Sequence, residues 1–234
     1  MICPKCAHAQ PDGTEVCLRC GVIFAKVRVD HSASQSPPTS IHEGTIEETP
    51  GGMDTLQLAG RLVIWAILLV WGGKFIFMPI SGEDFSRSYM HLVNLPFHEA
   101  GHVIFAPFGR FIQVLGGTLG QWLMPAVVTA SFLRRKDHFA ATVGVWWLGQ
   151  SFMDIAPYMD DARAGQLMLL GGVTGSEVED YHDWEIILTR LGLLQYDHVI
   201  ARISFFCGTL FMIGGLAWGA GILYRQIQSR RRPI

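Results

Sequence analysis

A five-residue motif in the middle of the chain has the residue types and spacing of a zinc-hydrolase site. His98, Glu99 and His102 form HEAGH inside the otherwise apolar run Leu95–Phe108. On an α-helix, residues i and i+4 share a face, so both imidazoles can bind one zinc ion. Glu99 would then stand beside the metal and accept a proton from zinc-bound water. The motif predicts a catalytic zinc ion with Glu99 as the general base.

Two histidines leave such a site incomplete, because a catalytic zinc ion usually has three protein ligands and an open fourth position. The downstream stretch WWLGQSFMDIAPYMDDAR places Gln150, Asp154, Tyr158 and Asp161 along one face of a helix. If that helix runs outward, Asp154 lies deeper than Asp161 by about 10 Å, at about 1.5 Å per residue. His98 and His102 also lie some way in from the outer surface, so the deeper carboxylate is the better match. We therefore favour Asp154 as the third ligand, with Asp161 and His182 as alternatives.

Further polar residues could support the ligands or the substrate. Tyr158 could donate a hydrogen bond near the metal or stabilise a transition state, although an interfacial tyrosine is an equally good interpretation. Gln121, in a glycine-rich stretch, could bind a substrate backbone or simply be a satisfied cavity amide. His182 and Asp183 form a pair that could support the site or pack a loop.

The composition indicates that these residues are held by membrane helices. Half of the residues are hydrophobic and 16% are charged, whereas about a quarter is charged in soluble domains. Apolar runs of spanning length occur at Leu56–Phe77, Phe139–Tyr158 and Ile200–Tyr224. We predict a mainly α, polytopic membrane protein with these three spans and the motif helix.

The start of the motif helix has two interpretations. Asn94 is a suitable N-cap, and Pro96 is best tolerated near a helix start. Alternatively, a longer helix begins near Glu83 and kinks at Pro96. In either case we expect the helix to end before Pro107.

The next apolar segment, residues 111–133, contains several helix-breaking residues. We predict that it is a re-entrant segment, because irregular backbone at membrane depth must line a cavity and not face lipid. The residues that interrupt it are Gly116, Gly117, Gly120 and Pro125.

Basic residues set the expected orientation. Arg134 to Lys136 and the tail 227–234 are basic, and such clusters favour the cytosolic side. The first ten residues lack the features of a signal peptide, so we expect the N-terminus in the cytosol as well. Four transmembrane helices plus the re-entrant segment give the required even number of crossings.

Four of the five cysteines lie in the first twenty residues. Cys3-Pro-Lys-Cys6 and Cys17-Leu-Arg-Cys20 have the spacing of a Cys₄ zinc site, and so small a segment needs the metal to fold. We predict a structural zinc ribbon over residues 1–28 and a flexible linker, rich in Ser, Thr and Pro, over residues 29–55. The helical membrane domain follows over residues 56–226. With a net charge of −2, no nucleic-acid partner is expected.

The HEAGH motif, the glycine-containing segment and a later Asp resemble the site-2 protease class of intramembrane zinc metallopeptidases. The resemblance implies that His98, His102 and a later Asp bind zinc while Glu99 acts as the base. The later motif of that family, Asn-x-x-Pro followed by Leu-Asp-Gly, is replaced here by Asp154-Ile-Ala-Pro-Tyr-Met-Asp160-Asp161. Read in that register, Asp160 or Asp161 would be the ligand.

The cysteine motifs CPKC and CLRCG resemble the short zinc ribbons at the head of many bacterial membrane proteins. We therefore expect a multi-pass protein of the cell membrane, as in a bacterial inner membrane. Its predicted activity is hydrolysis of membrane or membrane-proximal polypeptides that reach the site through the bilayer, and the ribbon could recruit a cytosolic protein. The alternative is a non-catalytic membrane scaffold or metal-handling protein with structural zinc.

Overall fold

The computed structural model describes residues 1–3, 5–6, 8–24, 55–80 and 84–231. The chain divides into two compact units, Met1–Thr49 and Pro50–Ile234. The predicted linker, apart from its last residue, and the last three residues of the predicted basic tail lie outside the described residues. The described part is mainly helical, and its only β-pairing consists of isolated bridges.

The second unit is built from seven α-helices within the described residues. They are α1 (Thr55–Ile76), α2 (Tyr89–Phe105), α3 (Arg110–Arg134), α4 (His138–Asp154), α5 (Ala156–Asp160), α6 (Asp183–Leu191) and α7 (Asp197–Arg231). Short 3₁₀ turns follow α2 and precede α7. α2 packs on α3, α3 on α4, and α4 on α7.

Among the described residues, three helical segments are long and apolar enough to cross a membrane, namely Thr55–Ile76, Arg110–Arg134 and Leu194–Arg231. The first and third match two of the three spans predicted from the apolar runs, Leu56–Phe77 (apart from Phe77) and Ile200–Tyr224. The remaining predicted span, Phe139–Tyr158, is divided between α4 and α5. The motif helix α2 and the helix α4 have 17 residues each, or about 25 Å at about 1.5 Å per residue. Both are therefore shorter than a hydrocarbon core of about 30 Å.

The structure corrects the prediction that residues 111–133 form a broken, re-entrant segment. They lie in one continuous helix, α3, and Pro125 is accommodated inside it. The glycines serve helix packing: a Cβ on Gly116 would lie 2.7 Å from the carbonyl oxygen of Gly101 in α2. Small residues let two helix backbones approach closely, and this close packing offsets the low helix propensity of glycine.

The motif helix begins at neither predicted position. α2 starts at Tyr89, and Ser88 caps it by accepting a hydrogen bond at its Oγ from the backbone N–H of His91, at 3.1 Å. Asn94 is therefore not the N-cap but a buried residue of the second turn, and Pro96 lies inside the helix. The helix ends before Pro107, as predicted.

α4 and α7 cross at another pair of glycines. A Cβ on Gly149 would lie 2.6 Å from the Gly208 carbonyl oxygen, so nothing larger fits this crossing. Trp146, nearby in α4, is buried and donates its indole N–H to the carbonyl oxygen of Leu68 in α1, at 3.1 Å. This crossing fixes the position of α4, which carries several of the polar residues described below.

The first unit contains two small hairpins. The bridge between Ile2 and Ala9 encloses the first CxxC pair, and the bridge between Val16 and Ile23 encloses the second. In each hairpin the first cysteine donates its backbone N–H back across the turn, at 2.9 Å in both cases. The two turns bring all four cysteine side chains together.

Candidate metal centres

Three side chains from two distant parts of the chain meet at the HEAGH motif. The Nε2 atoms of His98 and His102 lie 3.0 and 3.1 Å from the same carboxylate oxygen, Oδ2 of Asp183. The two imidazole rings are nearly perpendicular, with centroids 4.9 Å apart. Helical spacing places the histidines on one face, and the fold supplies a carboxylate from the first turn of α6.

The second nitrogen of each histidine has a hydrogen-bond acceptor. His102 Nδ1 lies 2.9 Å from the carbonyl oxygen of Gln113, which can only accept, so His102 carries its proton on Nδ1. His98 Nδ1 lies 3.3 Å from Gln121 Oε1. Since Gln121 uses its amide N–H groups toward Asp154 and Ser151, its Oε1 accepts from His98. Such partners orient metal-binding histidines.

This tautomer leaves a lone pair on each Nε2, and both lone pairs face the negatively charged oxygen of Asp183. Electron pairs repel across 3.0 Å unless protons or a cation stand between them. The ligand atoms of a tetrahedral zinc ion are about 3.3 Å apart, given zinc–ligand distances of about 2.0–2.2 Å. The spacing and donor set of His98, His102 and Asp183 therefore fit a zinc ion.

Several contacts hold Asp183 in place. Tyr158 accepts a hydrogen bond at its hydroxyl from the backbone N–H of Asp183, at 2.9 Å. The preceding residue, His182, caps α6 by accepting the N–H of Glu185 at its Nδ1, and its ring centroid lies 4.2 Å from that of Tyr158. Burial raises the pKa of the Asp183 carboxyl, but hydrogen bonds from His102 and His98 in their Nε2-protonated, metal-free form outweigh burial, so the pKa lies below its usual value.

The alternative ligands Asp161 and His182 face each other and are not part of the His-His-Asp group. His182 is fully buried, and its Nε2 points toward Asp161 Oδ2 at 3.5 Å. Asp161 also accepts the backbone N–H groups of Gln166 and Leu167. Burial raises the pKa of Asp161, but the contact with His182 and the two backbone N–H groups outweigh burial and lower the pKa below its usual value. The pair connects the loop after α5 to the start of α6.

Asp154, the ligand favoured from the sequence, is not part of the His-His-Asp group. Its side chain is 1% exposed, and Oδ2 accepts hydrogen bonds from Asn94 at 3.1 Å and Gln121 at 3.0 Å. His91 Nδ1 lies 3.2 Å from the same oxygen. Asp154 thus stands one residue behind His98, connected to it through the amide of Gln121. The carboxylate that lies against both histidines instead comes from Asp183, in the first turn of α6.

Glu99 borders the cavity that opens in front of the histidines. This cavity measures about 300 Å³ and is also lined by His98, His102, Asp183 and Tyr158. Glu99 is half-buried. If the His-His-Asp group holds a metal ion, its fourth tetrahedral position is open to the cavity that Glu99 borders.

Gly117 of α3 packs directly against the two imidazoles. A Cβ on Gly117 would lie 2.5 Å from His102 Nε2 and 2.6 Å from His98 Nε2, so this position admits no side chain. The glycine-rich stretch that suggested a broken helix therefore makes room for the two imidazoles.

The second candidate centre is the four-cysteine group. Cys3 and Cys20 have sulfur atoms 3.7 Å apart, as do Cys6 and Cys17. Sulfurs on a tetrahedral zinc ion are about 3.8 Å apart, given a zinc–sulfur distance of about 2.3 Å.

Burial raises the pKa of the Cys17 thiol, but backbone N–H groups of Cys20 and Arg19 help lower it to about 6. At Cys6 a backbone hydrogen bond with His8 lowers the pKa, but burial and the other three sulfurs raise it to about 12. Cys17 is therefore the thiol of this pair that loses its proton first.

The sequence prediction named six of the seven side chains in these two groups as ligands, and did not include Asp183 among the candidate ligands. It noticed Asp183 only as a partner of His182, since nothing in the spacing relates it to HEAGH. Its position at the first turn of a helix, directly after a capping residue, is the one local feature that could have drawn attention to it.

No family model, curated protein or solved structure matches this chain. The resemblance of HEAGH to intramembrane zinc metallopeptidases consequently stays a prediction from the motif.

Proposed function

We propose that the protein is a membrane-embedded zinc metallopeptidase that hydrolyses membrane or membrane-proximal polypeptides. The observation that carries the proposal is the convergence of both HEAGH histidines on Asp183, beside a cavity that Glu99 also lines. His98, His102 and Asp183 would hold the zinc ion. When bound, such an ion lowers the pKa of water toward about 7 and polarises a carbonyl group.

The residues of the chain have separate roles in this proposal. Glu99 takes the proton of the attacking water and delivers it to the leaving amine. Tyr158 holds Asp183 through its backbone N–H, and its own hydroxyl proton remains for the oxygen of the scissile carbonyl. Gln121 and the Gln113 carbonyl orient the imidazoles. The half-buried cavity reduces the access of bulk water to the reacting groups.

Three helices of spanning length support placing this site in a membrane. The substrate would reach it laterally as a membrane protein or peptide, in the cell membrane. Arg230 donates to Thr55 Oγ1, so the start of α1 and the end of α7 lie at the same end of the unit, which supports keeping both termini in the cytosol. The cysteine unit would be a zinc ribbon that recruits a cytosolic protein.

The competing function is a non-catalytic scaffold or metal-handling protein whose zinc is structural. Such a centre normally uses four protein ligands. Within the described residues, the group at HEAGH has three members, and Asp154, Asp161 and His182 each face other partners. An open position for water supports the peptidase over the scaffold.

The test measures zinc content in the purified full-length protein. We expect two zinc ions in the wild type and one in His98→Ala and Asp183→Ala. Asp154→Ala should retain two at saturating zinc, because Asp154 acts through Gln121. Loss of one zinc ion in Asp154→Ala but not in Asp183→Ala would return Asp154 to the ligand set.

Turnover is measured separately with Glu99→Gln, by comparing cleavage products of co-expressed membrane proteins with those of the wild type. We expect both zinc ions to remain and cleavage to fall by about 10²–10⁴-fold, the usual contribution of a general base. Equal product patterns in the wild type and Glu99→Gln would favour the scaffold.

A further inference from the structure

A second cavity lies at the opposite end of α4 from the metal centre. It measures about 660 Å³ and lies among the second turn of α1, the turn between α3 and α4, and the last third of α7. The metal centre lies near the other end of α4, which is 17 residues long, or about 25 Å at about 1.5 Å per residue. The two cavities are therefore separate sites.

The lining of this cavity is strongly cationic. Arg61, Arg135, Lys136 and Arg225 contribute four positive charges, against the single carboxylate of Asp137. That carboxylate is already engaged, because it caps α4 at 3.1 Å and lies 3.7 Å from the guanidinium of Arg61. The cavity therefore has an excess of positive charge that an anionic ligand would balance.

The backbone of the turn presents two of these cations. α3 ends at Arg134, and Lys136 adopts a positive φ of 59°, a conformation that non-glycine residues seldom adopt. This turn reverses the chain within three residues and leaves Arg135 and Lys136 together at the rim. Arg134, one residue earlier, does not line the cavity.

The cavity also contains features that a plain phosphate would not require. Gln226 Oε1 is buried and has no hydrogen-bond partner among the described residues. A buried acceptor without a donor is costly, so a ligand that supplies a hydroxyl or ammonium hydrogen would stabilise it. Trp218 adds an apolar, aromatic wall. The cavity thus combines cations, one unsatisfied acceptor and an apolar surface.

The position of the cavity beside membrane-spanning helices indicates what kind of molecule would combine an anionic group, a hydrogen-bond donor and an apolar part. The start of α1 and the end of α7, two of the three described helices of spanning length, lie beside the cavity. Apolar side chains along α1 are exposed, including Val63 at 59% and Val70 at 75%. An acyl chain could lie along this surface while its head group enters the basic cavity, as anionic lipids do between transmembrane helices.

We infer that this cavity binds the head group of an anionic phospholipid, with the phosphodiester between Arg135, Lys136 and Arg225 and a head-group hydroxyl donating to Gln226. The inference rests on the proposed membrane placement and not on the proposed peptidase activity. Arginine suits the role because its fork of N–H groups matches phosphate oxygens.

Native mass spectrometry of the detergent-solubilised full-length protein tests the inference by counting retained lipids. The probes are phosphatidylglycerol, phosphatidylcholine and phosphatidylmethanol, the last an anionic phosphodiester whose head group lacks a hydroxyl. Free glycerol 3-phosphate distinguishes a lipid site from a site for soluble phosphates. We expect phosphatidylglycerol to bind at least about tenfold better than phosphatidylcholine and free glycerol phosphate, since each charge-assisted contact removed is worth about tenfold or more.

The double variant Arg135→Ala/Lys136→Ala should lower phosphatidylglycerol binding about tenfold or more, whereas the neighbouring Arg134→Ala should change it less than about twofold. Gln226→Leu should abolish the preference for phosphatidylglycerol over phosphatidylmethanol, while the matched Gln228→Leu should keep it. Circular dichroism and zinc content check that each variant is folded.

Equal losses in Arg134→Ala and the double variant would mean general surface attraction and would overturn the inference. Glycerol phosphate binding as well as the lipid would assign the cavity to a soluble anion and overturn it too. If the protein fractionates with membranes but shows no lipid selectivity, the head-group site fails while the membrane placement stands.

Discussion

The two candidate metal centres are assembled in different ways. The four-cysteine group comes from one short stretch, with Cys3 and Cys20 only 17 residues apart. The His-His-Asp group joins α2 to α6 across 85 residues between His98 and Asp183. Local spacing alone can build the first group, whereas the second exists only after the helices have packed.

The ligand count differs as well. Four cysteines close a tetrahedral zinc site, which suits a structural ion, while two histidines and one carboxylate leave a position for water or substrate. We therefore expect that loss of metal will unfold the cysteine unit but will leave the helices around the His-His-Asp group folded.

The largest effect is expected for Cys17→Ser. So small a unit buries little apolar surface, and zinc supplies about 10–16 kcal/mol of apparent folding free energy in comparable metal-dependent modules. Limited proteolysis should cleave within residues 1–24 more than about tenfold faster, at the rates of an unfolded segment. The control Cys207→Ser changes a cysteine outside the group and should leave the rate unchanged. Unaltered cleavage in Cys17→Ser would show that the unit folds without its metal.

A smaller effect is expected for Gly117→Ala at the second centre. The added methyl group would overlap both Nε2 atoms, and displacing ligands by about 1 Å can cost about 100-fold in function. Zinc affinity of the helical unit, measured by competition with a chelator, should fall by about that factor while helix content remains.

Gly214→Ala in α7 is the matched control, because a Cβ at this position would have nothing within 4 Å, so zinc affinity should be unchanged. Zinc affinity equal in Gly117→Ala and the wild type would contradict the position of the metal between the two imidazoles.

The smallest effect is expected for Gln121→Ala, which removes the acceptor of His98 Nδ1. Loss of a partner that orients a metal ligand typically costs about 10- to 100-fold in metal affinity. Gln113→Ala is the matched control. Gln113 contacts His102 through its backbone carbonyl, which alanine also has, so this variant should keep the zinc affinity of the wild type. Equal zinc affinities in the two variants would remove the proposed role of the Gln121 side chain.

The amount that sequence could predict follows from the range of the interactions. Helical periodicity was enough to bring His98 and His102 to one face, and hydropathy was enough to locate α1 and α7. The break predicted in α3 was wrong because glycine propensity, a local property, was outweighed by packing against α2.

The sequence by itself determined the ligand pairs, namely the two CxxC turns and the HExxH histidines, because each pair depends on a fixed local backbone geometry. Only the tertiary structure decided which acid lies against the two histidines. Asp154 and Asp183 are equally available as residue types, but Gln121 and Asn94 engage Asp154, while Tyr158 and the start of α6 direct Asp183 to the histidines. That choice depends on how α2, α3, α4 and α6 pack, so it cannot be predicted from a local sequence pattern.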